Sequence, residues 1–393
     1  MKKILILGAG IYQVPLIKTA KKLGLYTIVA SIPGNYPGFQ YADKVYYENT
    51  TDHEAILRIS REENIDGIVT AGTDVAVITI GRVCDELGFS GLSYEAARIA
   101  ANKLLMKEKY EENGVRTARF RKVPLDADDI ERYITGLSFP LIFKSVDSSG
   151  SRGIVRVDSA DVFDDAAAEV RANTRSDYFI VEEFIEGEEF GAQSFVAGGK
   201  VQFILPHGDY VFKGDTGVPI GHFAPYDLPE ETLADAEKQL TAAISAMGLD
   251  NCAINADFIM KDGKTYVLEI GGRSGATCLA ELVSIYYGYD YYEKILRVAL
   301  GEDVDFSCSG KITPNASMLL RSDKDGKIIS QTDSNPDDPD IVEVQFDYEP
   351  GDEVSAFRVG PHRTGHVITK GRTLDEAVDK LHKALDNIDI EVR

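Results

Sequence analysis

The chain has 393 residues, with 64 acidic against 42 basic side chains and a formal charge of −22. It is long enough for two or three domains with sizeable cores, and its charge opposes binding to nucleic acid or an anionic membrane, so any anionic ligand must meet a local cluster of Lys, Arg and backbone N–H groups. A 44% hydrophobic content with 17 Phe and 19 Tyr describes a globular protein, and no apolar run approaches the ~20 residues of a membrane span. Four widely spaced cysteines (Cys84, Cys252, Cys278, Cys308) form no CxxC pair. With no signal-peptide pattern, they lead to an expectation of reduced, mostly buried thiols in a cytoplasmic protein.

In chain order, KILILGAG predicts a buried strand ending in a glycine turn, then an amphipathic helix of roughly 14 residues closing near Gly24, and a second strand YTIVAS. Gly8-Ala9-Gly10 invites a dinucleotide-binding reading, but the third glycine position is Gln13 and the second strand ends Ala30-Ser31-Ile32, without the acid that holds a ribose. A tight strand–helix turn in a structural domain is the plainer reading. Strand near 44–47, helix 53–63, strand GIVTAG and a helix to Leu87 continue the alternation, so residues 1–97 are expected to be a doubly wound α/β domain with a parallel sheet. Asp74, at a strand's C-terminal end, sits where such sheets bind ligands; it serves equally as a helix N-cap.

After a helix around 94–101, NKLLMKEKYEENGV is a helix that starts at Lys103 and is closed by Gly114. The strand FPLIFKS ends in Lys144 and leads into Ser148, Ser149, Gly150, Ser151 and Gly153, small residues that let backbone N–H groups approach phosphate, with Lys144 or Arg152 adding charge. The pattern is not a P-loop, and a Gly/Ser hairpin without ligand is the alternative. YFIVEEFIEGEEF carries Glu182, Glu183, Glu188 and Glu189, placed either to accept from an adenine amino group or ribose hydroxyls, or to form a solvated edge. LPHGDYVFKGDTGVPIGHFAP places His207, Asp209, Lys213 and His222 among glycines; they line an acceptor pocket, or are packed and surface residues, and Lys213 is also placed to reach a γ-phosphate. Helix 230–247 ends at Gly248 and is scaffold.

INADFIMKDGKTYVLEIGGRSGATCL reads as a hairpin turning at Asp262-Gly263. A strict two-residue turn pairs 257 with 268 and sends Asp257 and Glu269 to opposite faces. A three-residue connection or a bulge puts the two acids opposite each other, where a shared Mg2+ carrying phosphates would satisfy them. A solvated hairpin with chance acids is the alternative. Arg273 follows, and Ser274, Gly275, Ala276, Thr277 and Glu281 are expected to begin a helix whose N–H groups bind a carboxylate or phosphate. Tyr286, Tyr287, Tyr289, Tyr291 and Tyr292 read as core or interface. KITPNASMLLRSDKDGKI predicts two strands around Lys324-Asp325-Gly326; VSAFRVG, TGHVITKG and a helix 374–386 complete a small β-rich α+β domain. Arg321, Arg358 and His362 reach substrate there or serve structurally.

The order of these features — helix-start Lys, strand Lys with Ser/Gly loop, VEEFIEG, two acids twelve residues apart, Arg four beyond — resembles the ATP-grasp superfamily. The likeness is to the branch shared by biotin carboxylase, carbamoyl phosphate synthetase, D-alanine–D-alanine ligase and the L-amino acid ligases. The resemblance implies an N-terminal Rossmann-like domain (1–97), an ATP-grasp domain (98–304, in subdomains 98–181 and 182–304) and a C-terminal domain (305–393). It implies that Lys103 and Lys144 contact phosphates and that 148–153 closes over them. Glu182, Glu183, Phe184 and Ile185 would form the adenine hinge, and Glu189, with Glu188 as the neighbouring option, would bind ribose. Asp257 and Glu269 are implied as ligands to one or two Mg2+ (or Mn2+) ions, and Arg273 as steadying the transferring phosphoryl group. The implied activity is an ATP-dependent ligase that turns a carboxylate into an acyl phosphate and couples it to an amine, with small-molecule substrates and a possible homodimer. A bicarbonate-using enzyme and a silent nucleotide-binding regulator are the alternatives. Many relatives carry an Asn where this chain has Gly271; Asn255 is placed to compensate.

Overall fold

In a computed structural model that describes every residue except 149, 151 and 214–216, the buried strand Lys3–Leu7 pairs in parallel with Tyr26–Ser31 and Gly67–Val69, and Lys44–Tyr47 completes the sheet. The first helix is shorter than its pattern predicts, Val14–Lys22 after a 3-10 turn Ile11–Gln13. Gln13 explains this: its side chain accepts from Gly10 N–H at 2.9 Å and donates to Ala71 O at 2.6 Å, so residues 11–13 are held in a tight turn. Gly8, at φ +99°, is required there, because a Cβ would meet the Gln13 side chain at 3.0 Å.

A second, antiparallel sheet runs in the order Phe120–Pro124, Tyr178–Glu183, Leu141–Lys144, Ile154–Val157. Phe143, Val157 and Phe179 bury one face of it against the helix Phe163–Ala172.

The largest sheet has eight antiparallel strands in the order Lys264–Gly271, Cys252–Lys261, Glu188–Ala197, Lys200–Val211, Pro219–Ala224, Asn315–Arg321, Arg363–Lys370, Ile341–Phe346. Alternation divides its central strands cleanly. Ala192, Val196, Ile254, Ala256 and Phe258 pack in one core with the helix Glu230–Met247, whereas Phe195 and Ala253 pack with the helices Leu279–Tyr287 and Tyr291–Ala299. On that second face Gly191, Gln193, Asn255 and Asp257 are left for polar work.

Asn315–Arg321 and Gly326–Asp333 both form, but they diverge into different sheets: the first joins the eight-stranded sheet, and the second pairs with Glu353–Val354 and Ile388–Val392. Burial explains the split, since residues 315–320 are buried on both faces, as an interior strand requires, while 326–333 is mostly exposed or half-buried. The small β-rich unit therefore gives three strands to the large sheet and keeps three in a sheet of its own. Among the described residues no helix is long and apolar enough to cross a membrane.

Candidate active site

The hairpin uses both devices its sequence allowed. Asp262 and Gly263 are left-handed (φ +51° and +68°), and Lys261 faces Lys264 across a two-residue turn. A bulge then shifts the register: Phe258 pairs with Val267, but Asp257 pairs with Glu269, so the two acids share a face. Asp257 also faces Gly191 on the other neighbouring strand, where a Cβ would lie 2.2 Å from the His207 ring. Asp257 opens into the cleft, yet protein packed around it and the Glu269 charge opposite push its pKa up to about 7. Among the described residues the ion pair to these acids comes from Lys103, whose Nζ lies 3.2 Å from Glu269 Oε1 and donates to Ser148 O at 2.7 Å. Asn102 fixes that lysine in the first turn by accepting from Leu104 and Leu105 N–H. Two opposed acids short of positive charge form a hard-oxygen donor set with room for phosphate oxygens, so these residues fit Mg2+ with a nucleotide.

Arg273 and Asp74 come together from opposite parts of the chain, with Nε–Oδ1 and Nη2–Oδ2 both 2.8 Å. Although burial opposes it, the Arg273 charge holds the Asp74 carboxyl below the usual range. Asp74 thus does not cap the helix that follows; its carboxylate holds the arginine.

At the other end of the cleft, Lys144 Nζ donates to Glu182 Oε2 at 2.7 Å, and Lys107 Nζ stands 3.2 Å from Glu182 Oε1. Burial alone would raise the Glu182 pKa, but the two ammonium charges bring it down to about 2. Glu183 points the other way, accepting from Arg119 at 3.0 Å and from Ser138 N–H at 2.8 Å, so strand alternation removes it from the cleft. Phe184 donates its N–H to Pro140 O at 2.9 Å and lies under Arg156, while Ile185 is half-buried beside it. Glu189 shares the face of Gly191 and adds to the field on Lys144, whereas Glu188 binds Tyr226 on the opposite face. In the small-residue loop, Ser148 Oγ donates to Arg152 O at 2.8 Å, and Gly150 and Gly153 are left-handed; Ser149 and Ser151 lie outside the described residues.

Farther along the same sheet face, Asp209 Oδ1 accepts from His207 Nδ1 (2.9 Å) and His222 Nδ1 (2.6 Å). Burial notwithstanding, the two imidazoles hold Asp209 well below the usual carboxylate range. These are the one group of three metal-capable side chains with ligand atoms within 4.8 Å among the described residues, and their hydrogen bonds complete it without an ion. Buried Gln193 ties this group to the loop after Arg273: its Nε2 is 3.4 Å from His207 Nε2 and 2.6 Å from Asn255 Oδ1, and its Oε1 takes Gly275 N–H at 2.9 Å. Asn255 is thereby occupied, which weakens it as a substitute ligand for the Asn that Gly271 replaces.

The expected helix start at Ser274 is wrong. Residues 274–278 are an irregular loop with Thr277 and Cys278 left-handed (φ +55° and +69°), and the helix begins at Leu279. Gly275 N–H is already used, a Cβ there would meet Leu279 at 2.4 Å, and the Ser274 hydroxyl is buried without a partner among the described residues. Next to this loop lies a cavity of about 550 Å³ whose lining includes Tyr12, Lys18, Glu281, Glu343, Arg363 and His366. Arg363, not its register partner Arg321, is the arginine at this cavity; Arg321 is exposed in a shallow cleft with Asp389 and Glu391. Lys213 is exposed next to the undescribed residues 214–216, and His362 Nδ1 contacts Ala356 O at 3.2 Å. The sequence reading missed Lys107, Gln193 and Arg363. Only Lys107 left a signal, one turn from Lys103 on the same helix face.

Residues 137–281 match the family described as ATP-grasp domain, and residues 318–393 match L-amino acid ligase C-terminal domain 2. Over its full length the chain is similar to the crystal structure of a phosphoribosylglycinamide synthetase from Anaerococcus prevotii, with 36% identity, 100% of both chains covered and a TM-score of 0.87. It has the fold of an L-amino acid ligase from Bacillus licheniformis (21% identity, 100% of this chain and 99% of that one, TM-score 0.82). Among curated proteins it is similar to a formate-dependent phosphoribosylglycinamide formyltransferase of Methanocella arvoryzae, 25% identical over 405 residues that span 99% of this chain and 92% of that protein.

Proposed function

The chain belongs to the ATP-grasp superfamily, in the branch whose enzymes activate a carboxylate with ATP, and from that premise we propose that it joins an amino-acid-like carboxylate to an amine. The observation that carries the reading is the opposed pair Asp257 and Glu269, set by the bulge beside an Asp74-oriented Arg273 and flanked by Lys103. A carboxylate oxygen attacks the γ-phosphorus, the bond to ADP breaks, and an acyl phosphate forms. The amine nitrogen then attacks the acyl carbon, phosphate leaves, and the nitrogen gives up its proton as the amide forms. Asp257 and Glu269 would hold one or two Mg2+ or Mn2+ ions, which would supply charge neutralisation to the phosphates. Lys103 and Lys144 give up Ser148 O and Glu182 for phosphate oxygens, and Arg273 steadies the charge that develops on the transferring group. Residues 148–153 cover the phosphates against water, Glu182 to Ile185 receive the base, and Glu189 receives the ribose.

The 318–393 match and the cavity support an amino-acid-like acceptor. Arg363 is paired with Asp347 at 2.7 Å, and Glu281, Asp290 and Glu343 border the same space, a balance that suits an amine better than a phosphorylated sugar. The test is ADP release with Mg-ATP over pools of amino acids and small carboxylates, with formate and phosphoribosyl amines as separate arms and Glu269→Ala as blank. Release that needs an amino acid supports the proposal. Release only with a phosphoribosyl amine overturns the acceptor class, and silence in every arm overturns the ligase reading.

A further inference from the structure

The basic residue that the reaction leaves unused is Lys107. We propose that Lys107 sets base specificity: it keeps Glu182 an anionic acceptor for the 6-amino group of adenine when Lys144 turns to phosphate. The proposal rests on the nucleotide site described above.

Glu182 is 2% exposed and divides its two oxygens between two lysines of unlike freedom. Lys144 reaches the cleft and carries the field of Glu189 and Glu269, so it can exchange partners. Lys107 cannot. Its side chain is 1% exposed, and Nζ donates to Thr117 Oγ1 at 2.5 Å, while that hydroxyl donates to Val267 O at 2.7 Å on the metal-binding hairpin. The contact with Glu182 has a second property. At 3.2 Å it lacks the direction of a hydrogen bond, so Oε1 has no hydrogen-bond donor among the described residues. Lys107 therefore supplies charge at Oε1, and Oε2, which Lys144 now holds, is the oxygen left to a ligand N–H when Lys144 turns away.

Without that charge, a buried carboxylate left by Lys144 would take up a proton. A neutral acid donates as well as accepts, so it tolerates the 6-oxo group of a hypoxanthine base; an anion meets that oxygen with repulsion. Burial and the neighbouring Glu182 together leave the Lys107 pKa lowered to about 8, which keeps it charged at neutral pH.

The experiment is calorimetric binding of Mg-ATP and Mg-ITP to the full chain, with steady-state kinetics, for wild type, Lys107→Met and Thr117→Val. Wild type should prefer ATP. Lys107→Met should lose about 10- to 100-fold of the ATP-to-ITP ratio, the worth of a hydrogen bond to a charged group. The loss should fall on KM for ATP more than on kcat, with Thr117→Val shifting less in the same direction. A merely structural lysine would weaken both nucleotides alike. An unchanged ratio in folded Lys107→Met overturns the proposal, and if that variant does not fold, an unchanged ratio in Thr117→Val does so. Failure of wild type to bind either nucleotide would instead overturn the nucleotide site itself, and the proposal with it.

Discussion

Asp257 and Glu182 are carboxylates on two strands that line one cleft, and they are charged by opposite means. Asp257 faces a second acid and is driven toward protonation; Glu182 faces two lysines and is held as an anion. The first arrangement is incomplete until a cation arrives, which suits a site that exchanges metal and phosphates at every turnover. The second is complete in advance, as recognition of an unchanging base requires. Unsatisfied charge marks where chemistry will happen, and satisfied charge marks where a ligand is read.

The contrast can be broken at five points. The largest effect is expected from Glu269→Ala, which should lower kcat for ADP formation by about 10³-fold while nucleotide still binds in a calorimetric titration. Arg273→Ala should cost about 10²-fold, in kcat more than KM, and Asp74→Asn about tenfold in the same direction, because it loosens the arginine without removing it. Equal losses in ADP affinity and turnover would reject a transition-state role for the arginine. At the recognition end, Glu182 titrates near 2 when folded, below the unfolded value of about 4.3. Its stabilisation is therefore complete above about pH 4.3 and lost as pH falls toward 2. Urea midpoints should separate wild type from Glu182→Gln by about 3 kcal/mol at pH 7, with the gap closing through that window. The smallest effect on stability has the opposite sign: Asp257→Asn relieves a like-charge pair and should stabilise the ligand-free protein by about 1 kcal/mol or less, while its loss of kcat stays within that of Glu269→Ala. A lower unfolding midpoint in that variant would remove the contrast.

Much of the site was legible because it is local. The period of two in a strand dictated that Asp257 and Glu269 need a bulge or a longer turn to meet, and the chain supplied the bulge. The same period separates Glu182 from Glu183 and Glu189 from Glu188, although the sequence alone left the strand faces unassigned. What stayed hidden depends on distant partners. Asp74 and Arg273 are 199 residues apart, and nothing near either announces the pair. The pattern after Arg273 predicts a helix start because no propensity anticipates two left-handed side chains in succession at Thr277 and Cys278. Gln193 carries no local signal, since Gly275, Asn255 and His207 converge on it only in the fold.

The pairing of Pro219–Ala224 with Asn315–Arg321 carries a consequence for engineering. Recombining C-terminal segments among relatives is attractive wherever modules are strung like beads. Here the last segment is woven into the fabric that holds the catalytic hairpin, so a chimera must match strand register at residues 221–224 and 315–318 or it will leave a frayed edge five strands from Glu269. Crossover points chosen from loop positions alone would cut the cloth rather than the thread.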